Sequence, residues 1–206
     1  MKARRTPWRS FLLAAATAGA WAMPVAAQTR PAYLPTRDVA VTYHIDSSMK
    51  NAPSEAQARY SAGGQMLRVE SAQGVMLLDL KAEKTTMLMP QQQLIIDLPR
   101  GAGPVHAFMV DDSAKFTRTG SATVAGLRCT IWNIATPRGN GVACLTDDGV
   151  MLRGESHNAQ GQGGVVEAVA VAYGAQAATE FVPPPGYRRM EIPQNLRGLL
   201  QGAQPH

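Results

Sequence analysis

The sequence predicts a mainly β (α+β) protein: a single strongly curved antiparallel sheet forming an unclosed barrel, with one or two short helices. Three observations predict it. Short segments rich in β-formers follow one another at hairpin spacing, separated by Gly, Pro, Asn and Asp clusters. Two of them, VMLLDL and LIIDL, are apolar on both faces, whereas a sheet wetted on one side alternates more strictly. The only two cysteines, Cys129 and Cys144, flank a turn cluster.

The chain of 206 residues opens MKARRTPWRSFLLAAATAGAWAMPVAAQ. Lys2, Arg4, Arg5 and Arg9 form a basic start, an apolar run follows from Phe11 to about Met23, and Pro24 breaks it. Val25-Ala26-Ala27 then sets small residues for cleavage, so a Sec-type signal peptide over 1–27 is expected, cut between Ala27 and Gln28. The run is too short for a bilayer core of about 30 Å, which takes about 20 apolar residues. Arg4-Arg5 lacks the apolar residue expected directly after a twin-arginine pair, and no cysteine lies near the cut for lipid attachment. No later segment reads as a membrane span. The expectation is a soluble periplasmic protein with one domain over 28–190 and a tail or short helix over 191–206.

The signal also carries most of the charge imbalance. The whole chain has 20 Lys+Arg against 15 Asp+Glu, and four of the basic residues precede Gln28 with no acidic ones. The mature chain therefore holds 16 basic against 15 acidic residues, which argues against nucleic acid or an anionic membrane as partner.

Taken in order, DVAVTYHID alternates, with Val39, Val41, Tyr43 and Ile45 on one face. EAQARYSAGGQMLRVES predicts two strands joined at Gly63-Gly64, a two-residue hairpin signal. GVMLLDLKAEKTTMLMP predicts a second hairpin turning near Ala82-Glu83, and QQLIIDLP a further strand. In GPVHAFMVDDSAKF, Val105, Phe108 and Met109 recur at helical spacing behind Pro104, which predicts a short amphipathic helix. Leu127 to Ile134, then VACLT, then VMLRGES predict a three-stranded meander with turns at TPRGNG and at Asp147-Asp148-Gly149. GQGGVVEAVAVAYGAQ predicts a strand with Val165, Val169, Val171 and Tyr173 on one face, followed by an extended, Pro-rich exit. Leu196, Leu199 and Leu200 suggest a terminal helix.

An even cysteine count in an oxidising compartment predicts a disulfide between Cys129 and Cys144. Near-symmetry about the TPRGNG turn places the two roughly opposite each other on adjacent strands. A zinc site would need two more ligands at short spacing, and redox pairs are more often C-x-x-C.

Because strands apolar on both faces need a cover, a helix, a partner or a hydrophobic ligand is expected on the second face. Met87 and Met89 share one side of a strand, since side chains repeat every two residues, and with Phe108 on the expected covering helix they are the candidate lining of an apolar groove. Two thioethers of this kind could also hold Cu(I), but no third soft ligand lies near them in sequence, so lining is preferred. His44, His106, His157 and His206 show no ligand spacing, and neither a Ser-His-Asp pattern nor a G-x-S-x-G elbow is present. Asp147-Asp148-Gly149 is read as a hairpin tip, Trp132 as core, and Gly74, Gly126 and Gly149 as turn residues. No catalytic residue, metal or cofactor is expected.

LPTRDVAVTY, RVES with LLDLKAEKTTMLMP, VAGLRCTIW, ACLTDDGVML and FVPPPGY, in this order over about Leu34 to Tyr187, resemble a bacterial family of unknown function within the superfamily of periplasmic lipoprotein carriers (LolA/LolB-like). That resemblance implies a strongly bent antiparallel sheet whose concave face takes acyl chains or another apolar ligand beneath helices. It transfers no activity residue by residue. Two functions follow as expectations. The first is a periplasmic carrier or chaperone binding a lipid or other apolar ligand. The second is a non-enzymatic envelope module that meets a protein partner.

Overall fold

The computed structural model describes residues 30–48, 50–99, 113–136, 139–157 and 163–190. The expected signal peptide with its Ala27–Gln28 junction, the expected helix carrying Phe108, and the tail from 191 lie outside the described residues.

Twelve strands form one sheet: β1 (Val39–Ser47), β2 (Glu55–Ser61), β3 (Met66–Ser71), β4 (Gly74–Asp79), β5 (Lys84–Met89), β6 (Leu94–Asp97), β7 (Lys115–Val124), β8 (Leu127–Thr136), β9 (Gly139–Leu145), β10 (Met151–His157), β11 (Gly163–Tyr173) and β12 (Arg188–Met190). Their order is β12-β6-β5-β4-β3-β2-β1-β11-β10-β9-β8-β7, so the sheet does not close on itself. Helical structure among the described residues is limited to 3-10 turns at Pro90–Gln92 and Ala178–Phe181. Two meanders, β1–β6 and β7–β11, follow from successive hairpins. Pairing of β1 with β11 joins them. Register shifts between Thr42 and Tyr43, Arg118 and Gly120, and Met151 and Arg153 each disturb one ladder, and such bulges increase local twist and bend the sheet.

Several expectations are corrected by this register. The sheet is antiparallel except at β12, where the Pro-rich exit turns back to lie parallel to β6. The β2–β3 loop is Ala62–Gln65 rather than two glycines, and it is Gln65 that takes the left-handed conformation at φ 50°. Val169 does not share the buried face of β11: the bulge against β1 turns it outward, 57% exposed, and buries Ala168 instead. The disulfide is present, with Cα atoms 5.3 Å apart, but the cysteines are not opposed. Thr136 pairs with Gly139, which centres the hairpin later than the sequence symmetry suggests. Cys144 therefore faces Ile131, and Cys129 lies two residues along β8. The bond is diagonal.

The main core gathers Val39, Val41, Tyr60, Leu67, Leu78 and Leu152 with both cysteines. A second cluster is Val75, Leu77, Leu88 and Ile95, packed by Tyr187. A third is Trp132, Ala143 and Leu145, packed by Tyr33, Phe116 and Met151. Trp132 is core, as expected.

Asp148 is more than a hairpin tip. Its carboxylate accepts hydrogen bonds from Arg37 Nε at 2.7 Å, from the Thr146 hydroxyl and from the Tyr173 hydroxyl at 3.2 Å, while the Arg37 guanidinium lies 3.7 Å over the Tyr173 ring. Thr36 N also donates to the Asp148 carbonyl. This pins residues 33–37 to the turn. Gly149 next door has φ +88°, and a Cβ there would sit 2.2 Å from the Leu34 carbonyl oxygen, so only glycine fits. Partial burial opposes ionisation of Asp148, but the bonds from Thr146, Arg37 and Tyr173 outweigh it and hold the carboxyl below its usual range.

Joint replacement of Cys129 and Cys144 by Ala is expected to lower stability by about 2–4 kcal/mol in denaturant melts, because the unfolded chain regains the entropy of a closed loop. A second expectation concerns acid. A carboxylate with a depressed folded-state pKa contributes stability that is present above its unfolded value of about 3.9 and is lost as pH falls through the folded value. Asp148→Asn should therefore be less stable than wild type at neutral pH. Its stability should also fall less steeply below about pH 4, as measured by urea melts across pH.

Candidate functional site: a partly exposed apolar row

Regular pairing from β1 to β6 fixes which side chains share a face, because directly paired residues point the same way. Val41 pairs with Ala58, Ala58 with Val69, Val69 with Met76, Met76 with Met87, and Met87 with Ile96. The row continues to Val171 on β11 at one end and to Met190 on β12 at the other. One register step along, Val39, Tyr60, Leu67, Leu78 and Thr85 form a parallel row that is fully buried. The first row is not. Val41 is buried, but Ala58, Val69, Met76, Met87 and Ile96 are each partly exposed, and Met190 is 46% exposed. Met89 and Leu94 pair beside it, also partly exposed. The result is a continuous apolar strip running across the strands, partly exposed, with Ala58, Val69, Met76 and Val171 packed against the main core.

The opposite face of the same strands is closed by the chain itself. Phe181 is buried, and Tyr187 packs on Val75, Leu77, Leu88 and Ile95. Glu180 accepts a bond from Arg59 at 3.0 Å, and its carbonyl one from Arg68 at 3.1 Å. Arg189 meets the Asp97 carboxylate, and Arg188 N donates to the Gln93 carbonyl. The two-faced apolar pattern of VMLLDL and LIIDL thus has an internal explanation. Neither partner nor ligand is needed on that side, and the open question moves to the row of Val69, Met76 and Met87.

Met87 and Met89 fall on the same face, as the strand period requires, Met87 within the row and Met89 beside it. Phe108 lies outside the described residues. Sequence reasoning missed Met76, Ile96 and Met190. Met76 was within reach, because a β4–β5 hairpin turning between Asp79 and Lys84 sets it on the face of Met87 for any even register. Met190 was not, since nothing in FVPPPGYRRM announces a parallel return.

Thr85 borders the strip two residues before Met87. It is 1% exposed, and its buried hydroxyl has no hydrogen-bond partner among the described residues. Tyr43, beyond the other end, gives its hydroxyl to the Met151 carbonyl at 2.7 Å, and burial raises its pKa. A separate open depression of about 430 Å³ is lined by Thr42, Ser54, Glu55, Gln57 and Glu70 and is polar. His44 is exposed on β1, and among the described residues no group of three His, Cys, Asp or Glu side chains could hold a metal ion.

No family model matches the chain, and no curated protein matches it. Solved structures similar to it include the MucA/MucB complex of Pseudomonas aeruginosa, at 17% identity and TM-score 0.42, covering 69% of this chain and 56% of that one. A structure of PNGF-II reaches TM-score 0.51 at 12% identity, over 80% of this chain and 33% of that one. A LolA superfamily protein from Nitrosomonas europaea matches at 9% identity and TM-score 0.38, over 73% of this chain and 92% of that one. The chain spans about half the length of the MucB chain and a third of the PNGF-II chain.

The two faces should respond differently to truncation. Phe181→Ala is expected to cost about 3–5 kcal/mol, the range for a buried aromatic. Met87→Ala should fall below the about 2–5 kcal/mol of a sealed methionine, because its site is already partly wet. Urea melts of the two variants beside wild type measure both.

Proposed function

We propose that this chain is a soluble, non-enzymatic protein of the periplasm that holds a lipid or acyl chain against the row Val41–Ala58–Val69–Met76–Met87–Ile96, as a carrier or chaperone does. The observation that carries the reading is the partial exposure of that row beside a fully buried one. Soluble proteins rarely leave a continuous apolar strip open unless something binds there. Methionine suits such lining because its unbranched side chain adapts to irregular apolar shapes. The expected signal peptide and the disulfide agree with an oxidising compartment. No helix among the described residues is long and apolar enough to cross a membrane.

A second reading, the envelope interaction module, is favoured by one observation. Strand β7 ends the sheet order, so one side of a ten-residue strand has no strand neighbour among the described residues. Such an edge accepts an added strand from a partner.

A fluorescent fatty acid separates the two. Wild type should take up the probe, and Met87→Lys should weaken uptake by about tenfold or more, since each 1.4 kcal/mol is tenfold and an unpaired charge in an apolar strip costs at least that. Absence of uptake by wild type would overturn the lipid reading, and a stoichiometric co-purifying protein would then support the module.

A further inference from the structure

We propose that Met76, Met87 and Met89 form a binding site for Cu(I). Sequence placed only Met87 and Met89 on one face, two soft donors where a stable site needs a third. The β4–β5 register supplies it: Met76 is directly opposite Met87, and Met89 lies two residues along β5 on the same face. Opposed residues in a sheet carry Cβ atoms about 4.5–5.5 Å apart. Each methionine adds an unbranched side chain with three rotatable bonds, so three thioethers at these positions can converge on one ion.

The surroundings select the metal. Thioether sulfur is a soft, uncharged donor and favours Cu(I) over the divalent ions, which take imidazole, carboxylate or thiolate. Side chains sharing the face are Val69, Leu78, Thr85, Leu94 and Ile96, with Arg188 of β12 opposite Leu94; no carboxylate is among them to offset the charge of an ion. The nearby ionic groups Lys84, Asp97 and Arg68 belong to the opposite face, where they pair with one another's neighbours and with the exit segment. A divalent ion on this face would carry two uncompensated charges in an apolar setting, whereas Cu(I) carries one. All three methionines are partly exposed, so none is sealed in the core. Met66, by contrast, points to the other face and is excluded from the site.

The site does not depend on the lipid reading. Methionine to leucine keeps volume and hydrophobicity while removing the sulfur. The full chain, with its disulfide closed, is loaded anaerobically with the Cu(I)–acetonitrile complex in thiol-free buffer, and retention is measured against the chromophoric chelator bicinchoninate. One Cu(I) per chain is expected. Met87→Leu should weaken retention by more than the about 10–100-fold that losing a mere supporting partner costs. Met76→Leu and Met89→Leu should each weaken it too, and Met66→Leu should leave it unchanged. X-ray absorption of loaded wild type should show a sulfur shell. Failure of wild type to hold Cu(I), retention unchanged in Met87→Leu, or a shell of nitrogen and oxygen would each overturn the site. A urea melt of Met87→Leu beside wild type checks that the variant is folded, and uptake of the fatty-acid probe by wild type tests the lipid reading separately.

Discussion

Pairing of β1 with β11 is the contact on which the rest of the molecule depends. Every other antiparallel neighbour is a hairpin or the next strand in sequence, and forms from local chain reversals. This one brings Val39 to Tyr173 and Ser47 to Gly164, across most of the chain. It costs loop-closure entropy before it returns any burial, so it is the slow, non-local step expected of this topology. Once made, it turns two meanders into one surface. Val41 then lies between Ala58 and Val171, and the apolar row becomes continuous across both halves. Asp38 reinforces the junction by accepting bonds from Ala62 N and Gln176 N, which hold its carboxyl below its usual range.

Given that surface, the asymmetry between its faces decides what can bind. On strands β3–β6 both faces are apolar, and both must be covered or tolerated. The exit segment covers one with Phe181 and Tyr187 and fastens it with ion pairs from Arg59 and Arg189. These pairs are partly solvent-exposed and contribute little each. Burial of the two aromatic rings does most of the holding. The exit segment covers that side, which leaves Val69, Met76 and Met87 partly exposed on the other.

Strand identity was legible because period-two alternation is a local signal. DVAVTYHID and LIIDL fall where their patterns place them, and the meander from Cys129 to Glu155 is β8–β9–β10. Errors cluster where one residue changes parity. A bulge opposite Thr42 exposes Val169, and a hairpin centred slightly later than its glycine cluster suggests makes the disulfide diagonal. No local signal reports either event, because both depend on how a neighbouring strand pairs. The role of Asp148 was hidden for a related reason. Its partners Arg37 and Tyr173 are far from it in sequence, and a DDG turn looks the same with or without them. The candidate site was half legible: spacing alone gives Met87 and Met89 one face, whereas Met76 and Met190 join them only through the register of β4 and β12.

Methionine at these positions bears on both proposals at once. Leucine would line an acyl groove equally well and resist oxidation, so a site serving lipid alone has little reason to concentrate sulfur at Met76, Met87 and Met89. A site serving metal alone has little reason to extend through Ala58 and Val41 to β11. The geometry reconciles the two by position. These three methionines sit on β4 and β5, and aliphatic residues fill the row from β3 to β11. An ion held at that end fixes the same flexible side chains that an acyl chain would displace. On the two proposals together, binding there is linked, and linkage is reciprocal: by whatever factor Cu(I) weakens the hold on an acyl chain, the acyl chain weakens the hold on Cu(I).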